Sequence, residues 1–114
     1  MDPITTHVLD TSRGVPARGI AVSLEVSHAA HRWSEIAHGN TDDGGRIGAF
    51  DPPLPPLEAG IYRLRFATRD YFAASGVRAF YPEVQVVFQL DDPTQHYHIP
   101  LLLSPFGYST YRGS

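Results

Sequence analysis

Cysteine and lysine are both missing from this 114-residue chain, and each absence removes chemistry. Without cysteine there is no disulfide framework and no thiolate, either as nucleophile or as metal ligand. Without lysine there is no Schiff base and no amine nucleophile. All nine basic residues are arginine, which stays charged at any physiological pH. Long apolar runs are absent too, since none approaches the ~20 residues of a transmembrane helix, and no membrane partner is expected. With a net charge of −3 the chain also lacks the large basic field that a nucleic-acid partner would favour. The opening MDPITTHVLD shows neither the basic nor the apolar region of a signal peptide, so the expected location is cytoplasmic.

What is present describes one ordinary globular unit, expected to span residues 1–114. Hydrophobic residues make up 42% and charged residues 18%, and a chain of this length can bury one modest core. Short stretches rich in β-branched and aromatic residues recur between Gly, Pro, Asp and Asn, which predicts an all-β antiparallel sandwich of two sheets. The predicted strands, about eight, are Ile4–Asp10, Ile20–Val26, Arg32–His38, Arg46–Ala49, Ile61–Ala67, Glu83–Leu90, His96–Leu103 and Tyr108–Tyr111. GIAVSLEV and IYRLRF alternate at period two, and EVQVVFQL puts Val84, Val86 and Phe88 on one face. The loop DPPLPPLEAG is too proline-rich to pair. DYFAASG alone reads as helical, a short helix with Asp70 as N-cap and Gly76 as stop.

Six histidines include the side chains whose ordinary pKa lies nearest neutrality. His28, His31 and His38 fall in a polar hairpin and are expected at the surface. His7 lies inside an apolar strand segment. His96 and His98, two apart at the start of HYHIPLLLS, share one strand face while Tyr97 takes the other. Three readings compete for His7, His96 and His98: a metal site built on the His-x-His pair, a structural role, and a general acid or base site without metal. Arg46, which follows two glycines in DGGR, favours the third. A guanidinium beside an imidazole lowers its pKa and can stabilise an oxyanion.

Five blocks of the chain carry a family resemblance. ITTHVLDTSRGVPARGI, DGGR at 43–46, GIYRLRF, FYPEV at 80–84 and HYHIPLLLSPFGYSTYRGS, in that order, resemble the 5-hydroxyisourate hydrolases, the enzyme branch of the transthyretin-like superfamily. The resemblance implies a prealbumin-like sandwich of two four-stranded sheets with a short helix after the fifth strand. It implies a homotetramer, a dimer of dimers, with sites in the channel between dimers. It further implies hydrolysis of the small-molecule substrate 5-hydroxyisourate to 2-oxo-4-hydroxy-4-carboxy-5-ureidoimidazoline in urate degradation, without metal or organic cofactor. Residue by residue, it places catalysis on His7, Arg46, His98 and Ser114, and substrate binding on His7, Arg46 and Tyr111. His96 is in the same string but is given no contact with substrate, and Arg112 is given no role.

Opening the ring requires an activated water, a stabilised tetrahedral oxyanion and a proton for the leaving nitrogen. The expected base is a neutral histidine, His98 or His7, with Arg46 keeping it neutral and orienting the substrate oxygens. The remaining histidine or Ser114 would position the water or relay the proton. The alternative on the same fold is a small-ligand binding protein without catalysis.

Overall fold

The computed structural model describes residues 2–114 as two packed sheets. In chain order the elements are β1 (Ile4–Asp10), β2 (Val15–Pro16), β3 (Ala21–His28), β4 (Arg32–Asn40), β5 (Arg46–Ile47), β6 (Gly60–Phe66), α1 (Thr68–Ala73), β7 (Val84–Leu90), β8 (Tyr97–Ser104) and β9 (Gly107–Thr110). The first sheet runs β2-β1-β8-β9, with β5 pairing β1 beside β2, and the second runs β4-β3-β6-β7.

Period-two patterning explains the packing. Ile4 and Val8 on β1, with Ile99 and Leu101 on β8, face Val22 and Leu24 on β3 and Leu64 and Phe66 on β6, and all eight are buried. Two sheets each hydrophobic on one side exclude water only by meeting face to face. On the outer side of the second sheet the alternation places charge instead. Glu25, 8% exposed, sits opposite Arg63 with an N–O distance of 2.6 Å, and the Arg63 guanidinium lies 4.2 Å over the Trp33 ring.

Four features depart from expectation. The pairing of β1 with β8 is parallel, because the chain crosses between the sheets before returning, whereas the other ladders are antiparallel. The first sheet contains β2, two residues including Pro16, tolerated because it lies at the edge of the sheet. Segment 46–49 pairs only at Arg46 and Ile47. Finally, α1 begins at Thr68 with Ala67 as its N-cap and no side-chain capping bond, so Asp70 is not the cap but lies in the first turn. Its carboxylate there favours the helix through the dipole. Gly76 does close the helix, donating to the Ala73 carbonyl at 3.0 Å. Tyr71 ties α1 to β1 through a 2.8 Å bond from its hydroxyl to buried Asp10. Burial alone would raise the Asp10 pKa, but bonds from Ser12, Tyr71 and Arg13 outweigh it and hold the carboxyl below its ordinary value.

Candidate active site

β1 turns Ile4, Thr6 and Val8 into the core and Thr5, His7 and Leu9 outward; β8 turns Tyr97, Ile99 and Leu101 inward and His98, Pro100 and Leu102 outward. Register then assembles a polar cluster on the outer face of the first sheet. Thr5 lies opposite His98 across the parallel ladder, and His7 lies opposite Arg46 across the β1–β5 pair. Three segments far apart in sequence thus deliver His7, Arg46 and His98 to one surface. His96 joins them, its ring 6.4 Å from that of His98 and within 22° of parallel. His28, His31 and His38 are exposed on and around β3 and β4, in the other sheet.

The turn before β5 is shaped to hold two of these groups. Asp42 Oδ1 accepts from the backbone N–H of Gly44 and of Arg46, each at 2.9 Å. Gly45 has φ +77°, and a Cβ there would run into the Val8 carbonyl oxygen, so only glycine lets the turn lie against β1. The Gly44 carbonyl reaches Nε2 of His7 at 2.9 Å. A carbonyl only accepts, so this nitrogen carries the proton, and neutral His7 keeps its lone pair on Nδ1. Arg46 is exposed and has no carboxylate within ion-pair distance among the described residues, so its charge is open to an incoming group.

His98 is half-buried. Burial, then the charges of His96, His7 and Arg46, push its pKa below the ordinary 6.5 and favour the neutral imidazole. Its Nδ1 meets the Thr5 hydroxyl at 2.8 Å. The effect expected of Arg46 is present but is the last of these four causes. Among the described residues, no group of three or more His, Cys, Asp or Glu side chains is arranged to hold a metal ion.

The final residues divide. Gly113 bridges to His98, donating to its carbonyl at 2.8 Å, and a Cβ at 113 would lie 2.7 Å from Cδ2 of the imidazole. Ser114 follows directly and is exposed. Tyr111 makes no hydrogen bond to the histidines or Arg46; it lines a groove of about 240 Å³ between β7 and β8 with Phe88, Tyr97 and Ile99. Arg112, for which the sequence suggested no role, stacks 4.4 Å over the Tyr97 ring and donates to Gln95 at 3.0 Å, bracing the start of β8 on either side of His96. Thr5 was missed altogether. It reads as one more strand threonine, and only the ladder register brings His98 to it.

The HIUase/Transthyretin family matches residues 4–113. A probable 5-hydroxyisourate hydrolase of Caenorhabditis elegans is 48% identical, aligned over 97% of this chain and 81% of its own length. The solved structure of Klebsiella pneumoniae 5-hydroxyisourate hydrolase superposes with a TM-score of 0.81 at 39% identity, covering 97% of this chain and 98% of that one. Transthyretin from Sparus aurata superposes with a TM-score of 0.89 at 33% identity, covering 99% of this chain and 97% of that one.

Proposed function

This chain belongs to the HIUase/Transthyretin family, and from that premise we infer that it hydrolyses 5-hydroxyisourate to 2-oxo-4-hydroxy-4-carboxy-5-ureidoimidazoline, a step of uric acid degradation. The observation that carries the reading beyond the fold is the convergence of His7, Arg46 and His98 on one sheet face. The fold is shared with a transthyretin, so the fold alone does not separate an enzyme from a carrier.

His98 is the general base. Its cation is disfavoured by burial and by His96, His7 and Arg46, so it presents a neutral imidazole to a water at pH 7. Arg46, exposed beside it, pairs with substrate oxygens and stabilises the oxyanion that forms when water adds to the cyclic acyl carbon. His7, held by the Gly44 carbonyl, keeps a fixed tautomer and orients substrate or water through Nδ1. Collapse of the tetrahedral intermediate breaks the carbon–nitrogen bond, and the nitrogen takes the proton that left the water. Ser114, next to the residue seated on His98, is the candidate to position that water.

We assign the working unit to a homotetramer, a dimer of dimers with the sites in the channel between dimers. The exposed apolar residues Val87, Phe106 and Tyr108 on and beside the edge strands β7 and β9 support this assembly, in which Tyr111 would contact substrate. The test of function generates 5-hydroxyisourate in situ with urate oxidase and follows its ultraviolet absorbance. Accelerated decay is expected at micromolar protein, and decay unchanged from the spontaneous rate would leave ligand binding without catalysis.

A further inference from the structure

The roles above leave Thr5 unused. It is 5% exposed, and its hydroxyl lies 2.8 Å from Nδ1 of His98 and 3.0 Å from Nε2 of His96. A hydroxyl has one proton and two lone pairs. Oγ1 has no third partner among the described residues, so two donating imidazoles would strand a buried O–H. The arrangements that satisfy every group have Thr5 donating to one ring and accepting from the other. The two tautomers are therefore tied: if His98 carries its proton on Nδ1, His96 has a bare Nε2, and the reverse.

We propose that Thr5 is a positioning residue of the active site, holding His98 with its proton on Nδ1 and its lone pair on Nε2, and joining it to His96 in a proton path. The inference rests on the hydrolase reading given above. Nε2 of His98 has no protein partner among the described residues and is the nitrogen left to meet a water. When it takes a proton, an N–H bond forms at Nε2. The proton on Nδ1 can then pass to Oγ1 of Thr5 while the Thr5 proton passes to Nε2 of His96. One proton is then held on His96 while Thr5 and His98 are neutral, and the reverse shift returns it to Nε2 of His98, from which the leaving nitrogen takes it as the carbon–nitrogen bond breaks.

The groups around the path favour that direction. His98 faces Thr5 and His7 from β1, Arg46 from β5 and His96 from its own segment, while Gly113 packs on its ring. None of these is a carboxylate that would hold a cation at His98. His96 is exposed, so water solvates its charge.

Two variants and one spectrum test this. Thr5→Val keeps the shape and branching of the side chain and removes the hydroxyl; Thr5→Ser keeps the hydroxyl. With 5-hydroxyisourate formed in situ, Thr5→Val is expected to lower kcat about tenfold or more with little change in KM. It should also move the acid limb of kcat to lower pH, since the His98 imidazolium loses the oxygen that accepts from Nδ1. Thr5→Ser should restore both. Nitrogen NMR of the wild-type imidazoles, which needs neither substrate nor variant, should show His98 as the Nδ1–H tautomer above that limb. Protonation on Nε2 with Nδ1 bare would overturn the proposal, and so would a folded Thr5→Val protein with unchanged kcat and limb. Wild-type protein with the Nδ1–H tautomer but no hydrolysis would instead remove the hydrolase reading and leave the Thr5 pairing standing.

Discussion

Gly113 leaves no space for a methyl group: its backbone is pinned to the His98 carbonyl, and an added Cβ would meet that residue's ring at 2.7 Å. Gly113→Ala is therefore expected to turn the imidazole away and lower kcat about 10²-fold, because misplacement by an ångström carries that cost, while the melting temperature stays near wild type. Near-normal kcat would show that the ring has freedom to adjust. The same histidine sets a pH dependence. Its folded-state pKa lies below 6.5, so the neutral imidazole, the form the proposed base requires, is populated above that limb and lost as pH falls through it. Activity should be level near pH 7 and decline with an acid limb below 6.5, and a limb above 6.5 would point to another group. Stability follows the same sign. The fold disfavours the His98 cation, so this contribution is complete above the unfolded pKa and is lost as pH falls through the folded one. At this scale the sequence displayed the histidines and the arginine that the fold brings to one face, His7, Arg46 and His98. It concealed Thr5 and Arg112, because an ordinary strand threonine and an exposed arginine have nothing in their local pattern to set them apart.

Strands place these residues, and the two sheets divide the labour. The first carries the cluster on its outer face; the second carries the Glu25, Arg63, Arg65 and Glu83 network on its own. Glu25 accepts from Arg63 with the two side chains only 10% and 15% exposed. Glu25→Ala would leave Arg63 largely out of water without its carboxylate. A loss of about 2 to 3 kcal/mol in urea unfolding is expected, with kcat unchanged because the pair lies in the other sheet. A fall in kcat at full occupancy of the folded state would mean that the two faces are coupled. Strand existence was legible from period-two alternation, and most predicted strands stand within two residues of their observed ends. The parallel union of β1 with β8 was not legible, since alternation tells which side of a strand is buried but not which neighbour it has or in which direction. The helix cap was misjudged for a related reason. Asp70 has the chemistry of a cap, but the backbone enters the helix at Thr68.

At the scale of the whole molecule, the last four residues join both halves of the site's support. Arg112 braces the approach to β8, and Gly113 closes on His98. Little of this segment belongs to the core, since Tyr111, Arg112 and Ser114 are exposed. Removing residues 111–114 should leave the fold and the assembly state of the full chain unchanged and abolish most turnover, read by sedimentation for assembly and by the coupled absorbance assay for rate. Full turnover, or an unfolded product, would contradict the account of this segment. By itself the sequence determined the all-β class, the buried faces and which side chains have the chemistry to react, because alternation and residue chemistry are local properties that survive in a linear string. The tertiary structure alone decided that His7 meets the Gly44 carbonyl and that Thr5 stands between two imidazoles. Those contacts span 37 to 93 positions of chain, and they exist only where long-range strand register brings the partners into hydrogen-bonding distance.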